Sequence, residues 1–364
     1  MPEDISTKPY RVLALDGGGM RGLYTASLLK NLANRFKDSE DDLDIGKGFD
    51  LIIGTSTGSL LAAGLAAGIS ITKIIEIYKE MGMKIFRKRI PHYSLLKFFW
   101  ALRHLHKPLN GNDNLKNTLN HVFKNETLGQ LYDRRKIGLC IPAVNMTTHK
   151  LNIFKTPHIA SKKADNERKL SEVCLASSAA PVFFPVAEID DVHGSNSSSY
   201  FVDGGLCANN PVMIGLIEAL YLSNVSQSVD IVSIGTCPLS SGEAMISGEE
   251  KKGLFYWNFG IKALEISMFS QSQYSQSMAE LLAENFTRTG KKIEIIRLNQ
   301  TAPSSIQEKH LGLDNASEKS CNTLIQLGNS DALEIKRLAE NGNDKLEKLI
   351  PLFSSMSTLQ KQEK

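Results

Sequence analysis

Three short clusters in this sequence carry groups able to do chemistry: Gly54-Thr55-Ser56-Thr57-Gly58, Asp203-Gly204-Gly205 and Asp16-Gly17-Gly18-Gly19-Met20-Arg21-Gly22. In the first, glycines stand two residues before and two after a serine, the G-x-S-x-G spacing of a nucleophile elbow. A strand that turns sharply into a helix forces its apical residue into strained backbone angles. Side chains at the flanking positions would then collide with the neighbouring strand or helix. The serine oxygen is presented at a helix N-terminus, where backbone N–H groups and the helix dipole favour developing negative charge.

A serine hydroxyl attacks poorly unless a neighbour takes its proton. In the chain order Ser, Asp, His that accompanies many elbows, His310 is the histidine candidate, but Gln307-Glu-Lys-His310-Leu-Gly gives it no recognisable context. Asp203 serves directly if it comes within hydrogen-bond reach of Ser56. Its reference pKa of ~3.9 makes it a weak base, so partial desolvation would help. Asp203 closes the apolar run Tyr200-Phe-Val-Asp203, and the carboxyl ends of strands are where open α/β sheets place functional groups. A turn-forming Asp beside glycines is the plainer alternative.

The third cluster has two functional readings and one structural one. Gly17, Gly19 and Gly22 satisfy the dinucleotide-binding spacing, which needs an acid at the end of the next strand. That strand, Leu51 to Ile53, ends in the Ser56 turn instead. The other functional reading makes Gly17 to Gly19 a concave set of bare amides at a helix N-terminus that holds a phosphate or an oxyanion, and for an oxyanion each such donor is worth roughly 3 to 4 kcal/mol. A tight turn with no ligand is the third.

Ordinary elements must position these clusters. Tyr10 to Leu15 is a short apolar strand, and Leu23 to Phe36 has helical spacing. The Ser56 turn leads into an Ala-rich helix, followed by a helix from Ile69 to Met83 with Ser70 or Thr72 as N-cap. A helix is expected over Leu115 to Phe123, a strand pair over Lys136 to Val144 and Lys150 to Phe154, and a helix from Leu170 to Ser178. Ser177 and Ser178 lack flanking glycines and are read as structural. Asn210 and Pro211 open an apolar helix to Leu222. Val229 to Ile234 and Ile293 to Leu298 are strands, and Leu254 to Phe286 and Ala316 to Leu352 are mainly helical. Strands alternating with helices predict one α/β domain over 1–353 with a mostly parallel sheet. Its motif-bearing core covers about 8–240, a helical extension 250–353 and a polar tail 354–364.

With 364 residues, 42% hydrophobic and 22% charged, the chain suits a soluble globular protein. A net charge of +3 gives no general affinity for nucleic acid. The N-terminus does not resemble a secretory signal and no run reaches the ~18 apolar residues of a spanning helix, so a cytoplasmic protein is expected. Five cysteines without a C-x-x-C pair read as reduced, mostly buried thiols that offer no metal site. The acidic run Asp38 to Asp44 lacks the glycine and closing glutamate of a calcium loop and reads as solvated. From Met81 to Asn112 there is no acid, while Lys84, Arg87, Lys88, Arg89, Lys97, Arg103 and Lys107 alternate with aromatics. Such a stretch suits an anionic lipid surface or a phosphorylated ligand, or simply a solvated helical face over a core-facing aromatic stripe.

The set DGGGMRG, GTSTG, ASSAAPVFFP (Ala176 to Pro185) and DGG, in that order and at these separations, resembles the patatin-like phospholipases. The resemblance covers roughly the first two-thirds of the chain. It implies a three-layer α/β/α sandwich and a Ser/Asp dyad, here Ser56 and Asp203, with an oxyanion hole at Gly17, Gly18 and Gly19 supported by Arg21. It also implies calcium-independent hydrolysis of lipid acyl esters, with membrane phospholipid as substrate, peripheral membrane contact and no cofactor. The chain is similar, more narrowly, to patatin-like effectors of bacterial anti-phage systems that cyclic dinucleotides switch on, which makes a cyclic dinucleotide an expected activator. Two alternatives use the same residues: nucleotide binding at the glycine turn, and acyl transfer to an acceptor other than water.

Overall fold

The computed structural model describes residues 8–38, 41–86, 107–159, 164–190, 197–237, 256–298 and 300–359, together with 161, 251 and 253. Most of the basic, aromatic stretch of the sequence, residues 87–106, lies outside the described residues.

Strands β1 (Tyr10–Leu15), β2 (Leu51–Gly54), β3 (Gly138–Asn145), β4 (Lys150–Lys155), β5 (Ala187–Asp190), β6 (Ser198–Asp203), β7 (Val229–Ile234) and β8 (Ile293–Arg297) form one sheet. Its order is β5-β6-β3-β2-β1-β7-β8, with β4 paired to β3. The pairs β1/β2, β1/β7, β2/β3 and β7/β8 are parallel, whereas β4, β5 and β6 add antiparallel pairs at one side.

The period-2 alternation of β1 separates the two cores. Leu13 and Leu15 face one, together with α1 (Gly22–Lys37), α2 (Thr57–Ala67) and α3 (Ile71–Ile85). The same core takes in α4 (Asp113–Phe123), α5 (Leu128–Arg135) and α6 (Leu170–Ser177). Val12 and Ala14 face the other core. It holds α8 (Val212–Leu222), reached through the single turn α7 (Gly205–Ala208), and α9 (Ile261–Arg288). Helices cover both faces of the sheet, giving the three-layer α/β/α sandwich.

The C-terminal third joins this body through β8 and through α11 (Glu318–Glu340), which follows the short α10 (Ser305–Glu308) and packs on α1. There Tyr24 Oη donates to buried Asp331 at 2.6 Å. After α12 (Leu349–Ser354), residues expected to be a polar tail are docked: Met356 is buried, and Leu359 N–H donates to Asp42 O at 2.8 Å. Met356 is the cause, because it fills the space above Gly48. The acidic run differs from a solvated loop as well. Asp44 is buried and holds Arg135 through both carboxylate oxygens, at 2.6 and 2.9 Å, and Asp42 accepts from Thr72 Oγ1. Thr72 is thereby engaged, and Ser70 is the residue that caps α3, accepting from Lys73 N–H at 3.1 Å.

Register brings the motif-bearing strand ends to one level. Leu15 aligns with both Gly54 and Ile234, so Asp16, Thr55 and Gly235 leave the sheet side by side. On β3, β4 occupies one edge along 140–145, so the other edge receives β2 at 138–140 and β6 at 143–145. Because β2 runs parallel and β6 antiparallel to β3, their carboxyl ends point at each other across a gap at Ile141 and Pro142. A residue's N–H and C=O in a strand point to the same edge, so Pro142, whose carbonyl faces this gap, lacks an N–H where no strand would receive it.

Candidate active site

Ser56 lies between β2 and α2 at φ 53° and ψ −123°, a conformation that non-glycine residues adopt at a cost of order 1 to 3 kcal/mol. The flanking glycines are required by contact. A Cβ on Gly54 would lie 2.0 Å from Gly58 O, and one on Gly58 would lie 2.4 Å from Leu15 O. Side-chain hydrogen bonds tie the turn to its surroundings through Ser56 and Thr55. Ser56 N–H donates to Ser177 Oγ at 2.9 Å, and Ser177 Oγ donates to Pro142 O at 2.6 Å. Thr55 Oγ1 donates to Ala208 O at 2.6 Å.

Asp203, at the end of β6, meets Ser56 across the gap on β3. Ser56 Oγ donates to Asp203 Oδ2 at 2.6 Å, and Gly205 N–H donates to Asp203 Oδ1 at 2.7 Å. Burial pushes the Asp203 carboxyl up to about 6, with the Ser56 and Gly205 hydrogen bonds opposing the rise. His310 plays no part in this arrangement. Its carbonyl accepts from Asn315 Nδ2 and Ser320 Oγ, and among the described residues no histidine lines the space around Ser56.

The glycine turn follows β1 beside the elbow. Gly18 and Gly19 line the Ser56 pocket, and among the described residues neither amide has a hydrogen-bond acceptor. Gly17 differs: its N–H donates to Asn209 O at 2.9 Å, so that amide is engaged. All three positions are tight, since a Cβ would lie 2.4 Å from Asn209 Oδ1 at Gly17, 2.1 Å from Thr236 Oγ1 at Gly18 and 2.3 Å from Leu313 O at Gly19. Arg21 Nε donates to Gly18 O at 3.5 Å, a long contact to the back of the turn. Burial disfavours the charge on Arg21, and Cys237 and the nearby Glu265 carboxylate oppose that effect. Asp16 forms a bidentate pair with Arg297, at 2.6 and 3.0 Å, which fixes the start of the turn to the end of β8.

From Ser56 an apolar pocket extends between α3 and α4. Leu60, Ile74, Ile77, Leu119, Phe123 and Phe184 are among its walls.

A family model described as patatin-like phospholipase matches residues 13–216, over half of the chain and all the clusters above. The chain belongs to the patatin-like phospholipase family. It is a hydrolase of the patatin type. Among its relatives, the cGAMP-activated phospholipase of Pseudomonas aeruginosa (strain BWHPSA011 / Pa011) is 33% identical over 326 residues, 89% of this chain and 88% of that protein. The cGAMP-activated phospholipase of Vibrio cholerae serotype O1 is 31% identical over 337 residues, 89% of this chain and 90% of that protein. The cUMP-AMP-activated phospholipase of Escherichia coli is 28% identical over 232 residues, 62% of this chain and 64% of that protein.

In this patatin-like phospholipase the dinucleotide reading of Gly17-x-Gly19-x-x-Gly22 gains nothing from the geometry, because β2 ends at Gly54 and leads into the Ser56 turn rather than an acid, and the adjoining pocket is walled by apolar side chains. Ser177, read from the sequence as structural, braces the elbow: its Oγ accepts from Ser56 N–H and donates to Pro142 O, a long-range contact that the local sequence does not signal. A second polar cluster lies elsewhere: Cys140, His158 and Glu218 present ligand-type atoms within 4.8 Å of one another. Lys155 Nζ sits on Glu218 Oε1 and already supplies a positive charge there. Burial alone would raise the Glu218 carboxyl, but hydrogen bonds from His158 and Lys155 hold it down at about 2. No helix among the described residues is long and apolar enough to cross a membrane.

Proposed function

We propose that this patatin-like phospholipase cleaves acyl esters of membrane phospholipids, without calcium, through an acyl-enzyme on Ser56 with Asp203 as the general base. The observation that carries this reading is the 2.6 Å hydrogen bond from Ser56 Oγ to Asp203 Oδ2 at the head of an apolar pocket. Ser56 Oγ attacks the ester carbonyl as its proton passes to Asp203, a carboxylate whose raised pKa makes it a better base than a solvated aspartate. The amides of Gly18 and Gly19 receive the oxyanion, with Gly17 and Arg21 holding the turn in shape from behind. The leaving alcohol takes the proton from Asp203. Water then releases the fatty acid, whose chain lies against Leu60, Ile74 and Leu119.

Two further features complete the reading. Residues 1–353 act as one domain that touches the bilayer peripherally, a role suited to the exposed apolar residues Ile266 and Phe269 on α9, the helix whose Leu264 and Met268 line the pocket. A cyclic dinucleotide raises its activity, as the names of the relatives suggest; cGAMP and cUMP-AMP are the first candidates. Product analysis of mixed phospholipid vesicles, incubated with wild type and Ser56→Ala in the presence and absence of each nucleotide, tests both parts. Nucleotide-stimulated fatty-acid release by wild type alone is expected. If no candidate nucleotide changes activity or melting temperature, the activation part is wrong, whereas release by Ser56→Ala rejects the chemistry.

A further inference from the structure

Helix α4 has two working faces. Leu115, Leu119 and Phe123 wall the acyl pocket. Asn120, His121 and, just past the helix, Lys124 and Asn125 line a second hollow together with Lys169. None of these five residues is acidic or apolar, and two carry a fixed positive charge. Among the described residues, none of the five side chains takes part in a hydrogen bond or an ion pair. The neighbouring acids are committed elsewhere. Glu126 accepts from Arg134 at 2.7 and 2.9 Å, and Glu172 accepts from the backbone N–H of Lys169 at 3.3 Å. Two ammonium groups in one hollow with no carboxylate in its walls favour an anionic ligand.

The backbone brings the two lysines together. Lys124 is held at φ 53° and ψ −127°, nearly the strained conformation of Ser56. The turn it makes lays the following residues alongside the start of α6, where Leu128 N–H donates to Arg168 O at 2.9 Å and Leu170 N–H to Glu126 O at 3.0 Å. Both sides of the hollow lead to the catalytic site. Lys169 is the N-cap of α6, and α6 ends at Ser177, whose Oγ accepts from Ser56 N–H. A ligand that spans the hollow therefore ties a wall of the acyl pocket to the helix that braces the elbow.

We propose that this hollow is where the activating cyclic dinucleotide binds, with Lys124 and Lys169 on its phosphodiesters and the Asn120 and Asn125 amides on its base edges. The proposal rests on the activation reading above and gives it a place. A cyclic dinucleotide carries two phosphodiester charges, which the two ammonium groups match. Its bases present donors and acceptors, and an asparagine amide offers both. Because the ligand touches both α4 and α6, it binds best to the arrangement of the two helices that suits both lysines, and it stabilises that arrangement.

Isothermal titration calorimetry with cGAMP and with cUMP-AMP, on wild type, Lys124→Gln, Lys169→Gln and the double variant, reads binding without relying on turnover, and thermal melts confirm that each variant is folded. Each single substitution is expected to weaken binding of the nucleotide that wild type takes by at least roughly tenfold, and the double variant by roughly a hundredfold, as the loss of charge-assisted hydrogen bonds implies. Lys124→Arg and Lys169→Arg, which keep the charge, should stay near wild type, as should Lys150→Gln, an exposed control on β4. Unchanged affinity in the folded double variant overturns the site and leaves the activation reading in place. No binding of either nucleotide to wild type overturns both. Inorganic phosphate that binds wild type as tightly as the nucleotide shows a general anion site and overturns the proposal. So does a double variant that loses sedimentation with phosphatidylglycerol vesicles while keeping its nucleotide affinity, which assigns the lysines to membrane contact.

Discussion

Ser56 and Asp203 stand 147 residues apart in the chain yet share a 2.6 Å hydrogen bond because β2 and β6 end against each other on one edge of β3. Parallel and antiparallel pairing to the same strand turns two carboxyl termini toward one point. Neither strand alone would place its terminal residue there, and Ser177, bonded to both Ser56 N–H and Pro142 O, fills the gap between them.

Ser177→Ala should therefore impair catalysis without touching substrate. It leaves Ser56 N–H and Pro142 O without their partner, a loss of about 1 to 3 kcal/mol in stability. The expected kinetic result is a fall in kcat with KM nearly unchanged, because the elbow loosens while the apolar pocket stays intact. A raised KM at constant kcat would contradict this.

The pH dependence follows from burial of Asp203. The base must be ionised to accept the Ser56 proton, so kcat/KM should fall on the acid side with an apparent pKa of about 6. Stability has the opposite sense. Between the ordinary value near 3.9 and about 6 the folded state holds a proton that the unfolded chain has released, so stability declines as pH rises through that window. Asp203→Asn should remove that decline, and its melting temperature should exceed that of wild type most clearly above pH ~6.5. Parallel thermal melts across the range check both signs.

The two glycine amides left without an acceptor among the described residues should respond differently to repair. Gly18→Ala and Gly19→Ala each put a Cβ within 2.3 Å of a neighbour and should cost roughly 100-fold or more in kcat. The obstacle at Gly18 is the Thr236 side chain, so adding Thr236→Gly should recover part of the Gly18→Ala loss. At Gly19 the obstacle is the Leu313 carbonyl and φ is +55°, so no side-chain change relieves it. Kinetics of the double variants against the single ones provide the comparison.

Arg297 anchors the turn through Asp16. Arg297→Met leaves a buried carboxylate without its cation, which should cost on the order of 3 to 5 kcal/mol in denaturant unfolding. Burial already raises the Asp16 carboxyl against the opposing pull of Arg297, so the damage should lessen at low pH where Asp16 is neutral.

Much of this was legible in the chain because it is local. The elbow glycines, the strand runs that end in Asp16, Ser56 and Asp203, and the Asn210-Pro211 helix start each depend on a few neighbouring residues. The contacts that finish the site are long-range. Ser177 sits in a run of small residues, and nothing in that run shows that its hydroxyl meets Ser56 N–H 121 residues away. The same holds for Gly17, whose amide is taken by Asn209, and for Asp44, which Arg135 draws out of solvent. The helix α5 had a readable signal in Thr127-Leu-Gly-Gln130, a capping box in the structure, whereas β5 alternates buried and exposed residues but is an edge strand of only four, too short a run to stand out.

The most direct test compares phospholipid and p-nitrophenyl ester hydrolysis by folded wild type, Ser56→Ala and Asp203→Asn, with the mass of any acyl adduct read on each. The account predicts that both substitutions lower turnover by at least roughly a thousandfold and that the adduct is absent from Ser56→Ala. Undiminished turnover in folded Ser56→Ala, or near-normal turnover in Asp203→Asn, would contradict it.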